Sequence, residues 1–209
     1  MNVVREVEKV LSIQEPQKKL DAIIGPLDRL FERGRALPVR PERLGKAASL
    51  LLTAALEEQD VEIKEEMFAV LLTAVAWNEI SRYIDWIALV DHLPCLSGYT
   101  LGYALRALGR SRRHVFLAIL QDYLRKPDIF IQVEALDAMI QIWWETSGKD
   151  AALKTAMQVA ALTEVQAMLL NPYKYTTPRG VVHERFALLC TEVVKDMKDW
   201  FKQQKHYEF

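Results

Sequence analysis

The segment HLPCLSGYTLGYALRAL, residues 92–108, and the segment YLRKPDIFIQVEALDAM, residues 123–139, align without a gap at an offset of 31. Leu93 falls on Leu124, Ala104-Leu105 on Ala135-Leu136, and Ala107-Leu108 on Ala138-Met139. The match extends upstream, with Leu89 on Leu120 and Ala88 on Ile119. Each copy is an apolar helical stripe, a short turn and a second helix rich in Ala and Leu. Self-similarity at a fixed period of this size is the mark of a helical repeat. A looser copy precedes it at an offset of 37, carrying Leu56 before the turn and Met67, Phe68 and Leu71 after it. A weaker one follows, from Leu153 through Val194, with a longer turn at Asn171 to Gly180.

Working outward, the rest of the chain shows the same alternation of helix and short break, with no alternating strand pattern. Helices are expected near 1–13, 16–33, 41–57, 62–77, 79–92, 97–109, 112–125, 128–146, 150–170 and 180–204. Pro16 suits a first helical turn, where its missing N–H costs nothing. Pro38, Pro41, Pro94, Pro127, Pro172 and Pro178 mark boundaries, because proline disrupts a helix interior. Asp128, after Pro127, reads as a helix start, and Gly148 as a terminator.

The pattern resembles the HEAT/armadillo-like helical-repeat superfamily. The resemblance rests on the apolar helix, the short turn and the Ala-Leu-x-Ala-Leu/Met second helix. It covers residues 41–146 and, more loosely, 150–204. One departure is plain: the Asp and Val-Arg pair usual in HEAT turns is incomplete, since Asp128 is followed by Ile-Gln and no arginine. The resemblance implies an all-α fold of antiparallel helix pairs, stacked as a short right-handed α-solenoid of about ten helices. It implies one domain over 1–209, with capping helices at 1–38, three helix-pair repeats at 39–146, and a last pair and cap at 147–209.

Composition narrows the function. The chain has 209 residues, of which 51% are hydrophobic, enough to bury a sizeable core. No run nears the ~20 apolar residues of a membrane span; the longest candidates, Leu50–Leu56 and Phe68–Trp77, read as helices buried in protein. The start, MNVVREVEKVLSI, mixes charges among its apolar residues, unlike a signal peptide. Cys95 and Cys190, the only cysteines, are expected as buried free thiols in a reducing cytoplasm. The balance of 27 basic against 28 acidic residues argues against a dedicated nucleic-acid binder, whose affinity comes from phosphate neutralisation.

No motif assigns catalysis. The phosphate-cradling glycine loops, HExxH and GxSxG are all missing from the sequence. His92, His114, His183 and His206 have no partner at metal-ligand spacing, so no metal, cofactor or catalytic residue is expected. His92 and the His183-Glu184-Arg185 run read as solvated helix ends. Asp85-Trp86 and Trp143-Trp144 combine acid and aromatic groups, as HEAT-like alkylpurine DNA glycosylases do. Yet Trp86 and Trp143 fall on apolar stripes, which favours core packing.

The repeat register gives the sharper expectation. In stacked pairs the second helices line the concave surface, where extended partners bind. The apolar stripe of the last complete unit is Ile129, Val133, Leu136, Ile140 and Trp143. The opposite stripe carries Phe130, Glu134, Asp137 and Gln141, with Trp144 beyond. The preceding unit contributes Tyr99, Tyr103, Arg106 and Arg110 to the same surface. Tyr, Trp and Arg are the types enriched at binding hot spots. Arg106, Arg110, Arg112, Arg113 and His114 also form an acid-free basic run, read either as a solvated helix terminus or as a patch for an acidic partner. Asn171 to Gly180, with two tyrosines, a lysine and an arginine, is either a binding loop or a stiffened connector. The expectation is thus a non-enzymatic interaction module or adaptor. Its partner is another protein, met on the concave face by Tyr99, Tyr103, Arg106, Arg110, Arg113, Glu134, Asp137, Gln141 and Trp144. A role as a regulatory or immunity-type protein fits the size. The alternative is a HEAT-like DNA-binding protein or glycosylase, and a third reading is a small-ligand handler, which an enclosed aromatic pocket with a basic rim would favour.

Overall fold

The computed structural model describes residues 2–32 and 39–145. Of residues 114, 129, 133, 140 and 143–145 it describes the backbone only. Every regular element among them is helical. The expected helices at 150–170 and 180–204, Gly148, Cys190, His183, His206 and the Asn171 to Gly180 loop lie outside the described residues.

The N-terminal helix α1, Val3–Leu11, starts where Asn2 accepts a hydrogen bond from the Arg5 backbone N–H. It buries Val3, Val7 and Val10, the stripe that a 3.6-residue period puts on one side. The next rod runs through α2, Pro16–Ala22, and α3, Asp28–Glu32. Between them the turn widens to a π-helix over Ile23–Leu27, with Pro26 inside. Pro26 has no N–H to give and its ring crowds the preceding turn, so the local widening lets the rod continue. Leu20, Ile23, Leu27, Leu30 and Phe31 line its buried side.

Helix α4, Pro41–Glu57, opens on a proline in its first turn. Helix α5, Val61–Trp77, is capped by Asp60, whose carboxylate accepts from the Glu62 and Ile63 N–H groups at 3.0 Å. It buries Met67, Phe68, Leu71, Ala74 and others around most of its circumference, as befits a central helix. Asn78 closes its end. The buried Asn78 amide donates to Ala74 O and Phe31 O, both at 2.9 Å, and so ties α5 to the end of α3.

The helix expected over 79–92 begins late. A 3₁₀ turn at Ser81–Tyr83 comes first, and α6 spans only Trp86–His92. Asp85 is the reason: its Oδ1 accepts from both Ile87 and Ala88 N–H at 3.1 Å, which sets the start there. A further 3₁₀ turn, Leu93–Cys95, leads to α7, Gly98–Arg110. Leu93 of that turn enters the core, whereas Cys95 is exposed, contrary to the expected buried thiol. The turn places Leu93 inward and leaves the sulfur two residues later in solvent. After a 3₁₀ turn at His114–Phe116 come α8, Leu117–Leu124, and α9, Ile129–Glu145. Asp128 does start α9, accepting from Phe130 N–H at 2.9 Å and Ile131 N–H at 3.4 Å.

The packing sets the site. Helix α5 lies against α7, and α7 against α9. Helix α4 packs on α5, α8 on α9, and α1 on α4. The second helices of the three expected units therefore lie side by side in one row. No helix among the described residues is long and apolar enough to cross a membrane.

Candidate functional site

Two glycines build the seam between α7 and α9. A Cβ at Gly109 would lie 2.5 Å from Ala138 Cα and 2.7 Å from its carbonyl oxygen. At Gly102, two turns earlier on the same face, it would lie 2.7 Å from the Phe130 ring and 3.1 Å from Glu134 Cγ. Both glycines are buried, and their missing side chains let the two backbones approach. Glycine costs roughly 1 kcal/mol against alanine inside a helix, so two on one stripe mark a packing demand.

The close approach brings the exposed edges of both helices into one surface. Tyr99, Tyr103, Arg106 and Arg110 stand along α7, each half-buried. Glu134, Asp137 and Gln141 stand along α9, also half-buried. The structure therefore places these seven predicted residues on one continuous strip. Tyr99 and Tyr103 stack with ring centroids 6.4 Å apart. Tyr99 also meets Phe130 edge-on at 5.0 Å. Phe130, read from the sequence as part of the solvent stripe, is instead 8% exposed beneath Gly102. The vacancy of the glycine side chain is what takes it in.

Arg106 holds the middle of the strip. Its Nε donates to Asp137 Oδ2 at 3.3 Å and lies 3.4 Å from Glu134 Oε2. The two carboxylates come from successive turns of α9, so one guanidinium bridges both. These side chains keep 30%, 16% and 21% of their accessibility, so the cluster is neither dry nor free in water. With two acids, two arginines and a tyrosine pair, the strip has mixed sign.

The other candidates sit apart. Arg113 lies beyond the end of α7, exposed at a corner, and not on the strip. The Trp144 side chain lies outside the described residues, as do those of Trp143 and His114. Asp85 is occupied in capping α6, and Trp86 is 1% exposed, its indole N–H donating to Ser81 O at 2.8 Å. His92 is exposed at the end of α6, its Nδ1 2.8 Å from Ala88 O. Among the described residues no group of His, Cys, Asp and Glu is arranged to hold a metal ion.

Away from the strip, a cleft of about 550 Å³ opens between the turn before α7 and the turn before α9. Val90, Leu93, Leu101, Ile119 and Ile131 form its apolar walls, with Tyr123, Lys126, Asp122 and Asp128 at its polar margin. Partial burial pushes the Tyr123 hydroxyl pKa up. The cleft holds one aromatic side chain and a margin of both signs. Sequence reading did not find it, because it arises from the spacing of two turns that each look ordinary alone.

No family model, curated protein or solved structure matches this chain.

Proposed function

We propose that the chain is a non-enzymatic protein-interaction module that engages its partner on the α7–α9 strip. The side-by-side row of α5, α7 and α9 supports reading the helix pairs as a short, HEAT-like solenoid, in which second helices carry the binding surface. The observation that carries the functional reading is the Arg106 bridge to Glu134 and Asp137 on the same strip as the Tyr99–Tyr103 stack. Phosphate backbones select continuous positive charge. A mixed-sign strip with stacked tyrosines instead resembles protein interfaces, where aromatic groups bury area at low entropy cost and charged pairs fix register. The same contrast ranks protein binding above the DNA-binding and glycosylase alternative, since Trp86 is core and Asp85 is a cap. An exposed free thiol at Cys95 is compatible with a reducing, cytoplasmic setting.

The test is affinity capture after nuclease treatment, with wild type beside Tyr99→Ala/Tyr103→Ala. Removing the rings leaves the Arg106 bridge in place. Reversing Arg106 itself would set three carboxylates together and confuse binding with folding. Proteins retained by wild type and lost by the folded variant support the proposal. Equal retention, or retention abolished by nuclease, refutes it.

A further inference from the structure

The walls of the cleft between the turn before α7 and the turn before α9 are aliphatic and branched: Val90, Leu93, Leu101, Ile119 and Ile131. Leu93, Leu101 and Ile131 are buried residues of the hydrophobic core, so the floor of the cleft is continuous with that core. At about 550 Å³ it falls within the size range of small-molecule sites. Such walls suit a flexible alkyl chain, because they offer apolar area and no partner for a polar body.

The polar margin selects the head group that such a chain would carry. Its two acids are engaged within the protein. Asp122 faces Arg125 at 3.8 Å, and Asp128 Oδ1 accepts from the Phe130 and Ile131 N–H groups in the first turn of α9. The remaining polar groups are donors. The Lys126 ammonium stands 6.0 Å from the centre of the Tyr123 ring and pairs with no carboxylate among the described residues. The Tyr123 and Ser97 hydroxyls likewise make no hydrogen bond there. Ser97 precedes α7 without capping it, and Gly98 follows at φ +53° with nothing within 4 Å of where a Cβ would stand. The positive end of the α7 dipole is thus left open on the cleft.

We infer that this cleft binds an amphipathic aliphatic monocarboxylate, its chain on the branched walls and its carboxylate on the donor margin formed by Lys126, Tyr123 and the start of α7. A carboxylate accepts from several donors at once, and bonds in which both partners are charged are the strong ones. A cationic amphiphile fits less well, because both acids on the margin are engaged and the start of α7 repels it. A neutral alcohol gains the walls but not the charge of Lys126. The site uses none of the residues of the α7–α9 strip, so the two surfaces can fail separately.

Isothermal titration calorimetry on the full-length protein compares decanoate, decanol and decyltrimethylammonium, each below its micelle concentration. Decanoate is expected to bind saturably at one site per chain and more tightly than the other two. Lys126→Glu weakens decanoate binding by about tenfold or more, the scale of a lost charge-assisted contact. Ser97→Asp separates binding from folding. Its carboxylate caps α7 and repels that of the ligand, so Tm rises while decanoate binding falls. Ile119→Trp fills the cleft and weakens decanoate and decanol alike. Lys46→Glu makes the Lys126 change of charge on the exposed face of α4 and binds decanoate as wild type does. Thermal melts establish that each variant is folded. The inference is overturned by no saturable decanoate binding, or by the alcohol or the ammonium compound binding as tightly as decanoate. It is overturned equally by decanoate affinity that Lys126→Glu leaves unmoved or that Lys46→Glu weakens as much.

Discussion

Replacing Gly109 by alanine inverts the usual rule for helix interiors. In an open helix the change stabilises by about 1 kcal/mol, since alanine has the better propensity. At Gly109 the new methyl would lie 2.5 Å from Ala138 Cα and 2.7 Å from Ala138 O. Carbon atoms prefer about 3.5–4.0 Å, so α9 has to retreat by roughly 1 Å. The obstacle is backbone, which no rotamer change can move. Overpacking typically costs about 1–3 kcal/mol, and an unyielding neighbour puts this site at the upper end. After the propensity gain, a net loss of about 2 kcal/mol remains. For a chain of this length that lowers Tm by about 4–8 °C. Gly102→Ala should cost less, because its new methyl meets the Phe130 ring at 2.7 Å and a ring can turn. Thermal denaturation by circular dichroism gives the order. A Gly109→Ala protein at least as stable as wild type would refute the close α7–α9 seam.

Asn78→Ala removes both buried amide hydrogen bonds, including the one to the Phe31 carbonyl at the α3–α5 junction, at a cost of about 1–3 kcal/mol read from urea unfolding. Arg112→Gly relieves the left-handed backbone and should raise stability by about 0.5–1 kcal/mol, read from thermal denaturation. Burial pushes the Glu58 carboxyl pKa up, but the Lys19 ammonium and the Asp60 and Gln59 N–H groups outweigh it, and the net pKa is lowered. A lowered carboxylate pKa stabilises fully above its unfolded value, and the contribution is lost as pH falls through the folded one. Glu58→Gln should therefore flatten the acid limb of the stability–pH curve and leave its shape near neutrality unchanged.

Much of this was legible because the repeat offset is also a contact rule. Arg106 and Asp137 are equivalent at an offset of 31, and in side-by-side second helices equivalent positions face each other. Alignment alone thus put opposite charges at one place. Asp128 as a cap followed from the proline before it. What was missed has physical causes. The 79–92 segment was read as one helix because its apolar spacing continues, but Asp85 offers the backbone a better start at α6. Phe130 sits at a solvent-stripe position of α9, and only the missing side chain of Gly102 on another helix buries it. The 16–33 stretch keeps a helical apolar pattern through Pro26, and the π turn that accommodates the proline has no signature in that pattern. Whether Tyr99 and Tyr103 stack depends on rotamers, which periodicity does not encode.

The central claim, that the α7–α9 strip meets a protein, is tested most directly by site-specific photocrosslinking in the native cell. A benzoylphenylalanine placed at Tyr103 should yield a discrete protein adduct that survives nuclease. The same probe at Ile87, exposed on α6 and off the strip, should yield none. An adduct from Ile87 but not from Tyr103, or a Tyr103 adduct that nuclease removes, would contradict the account.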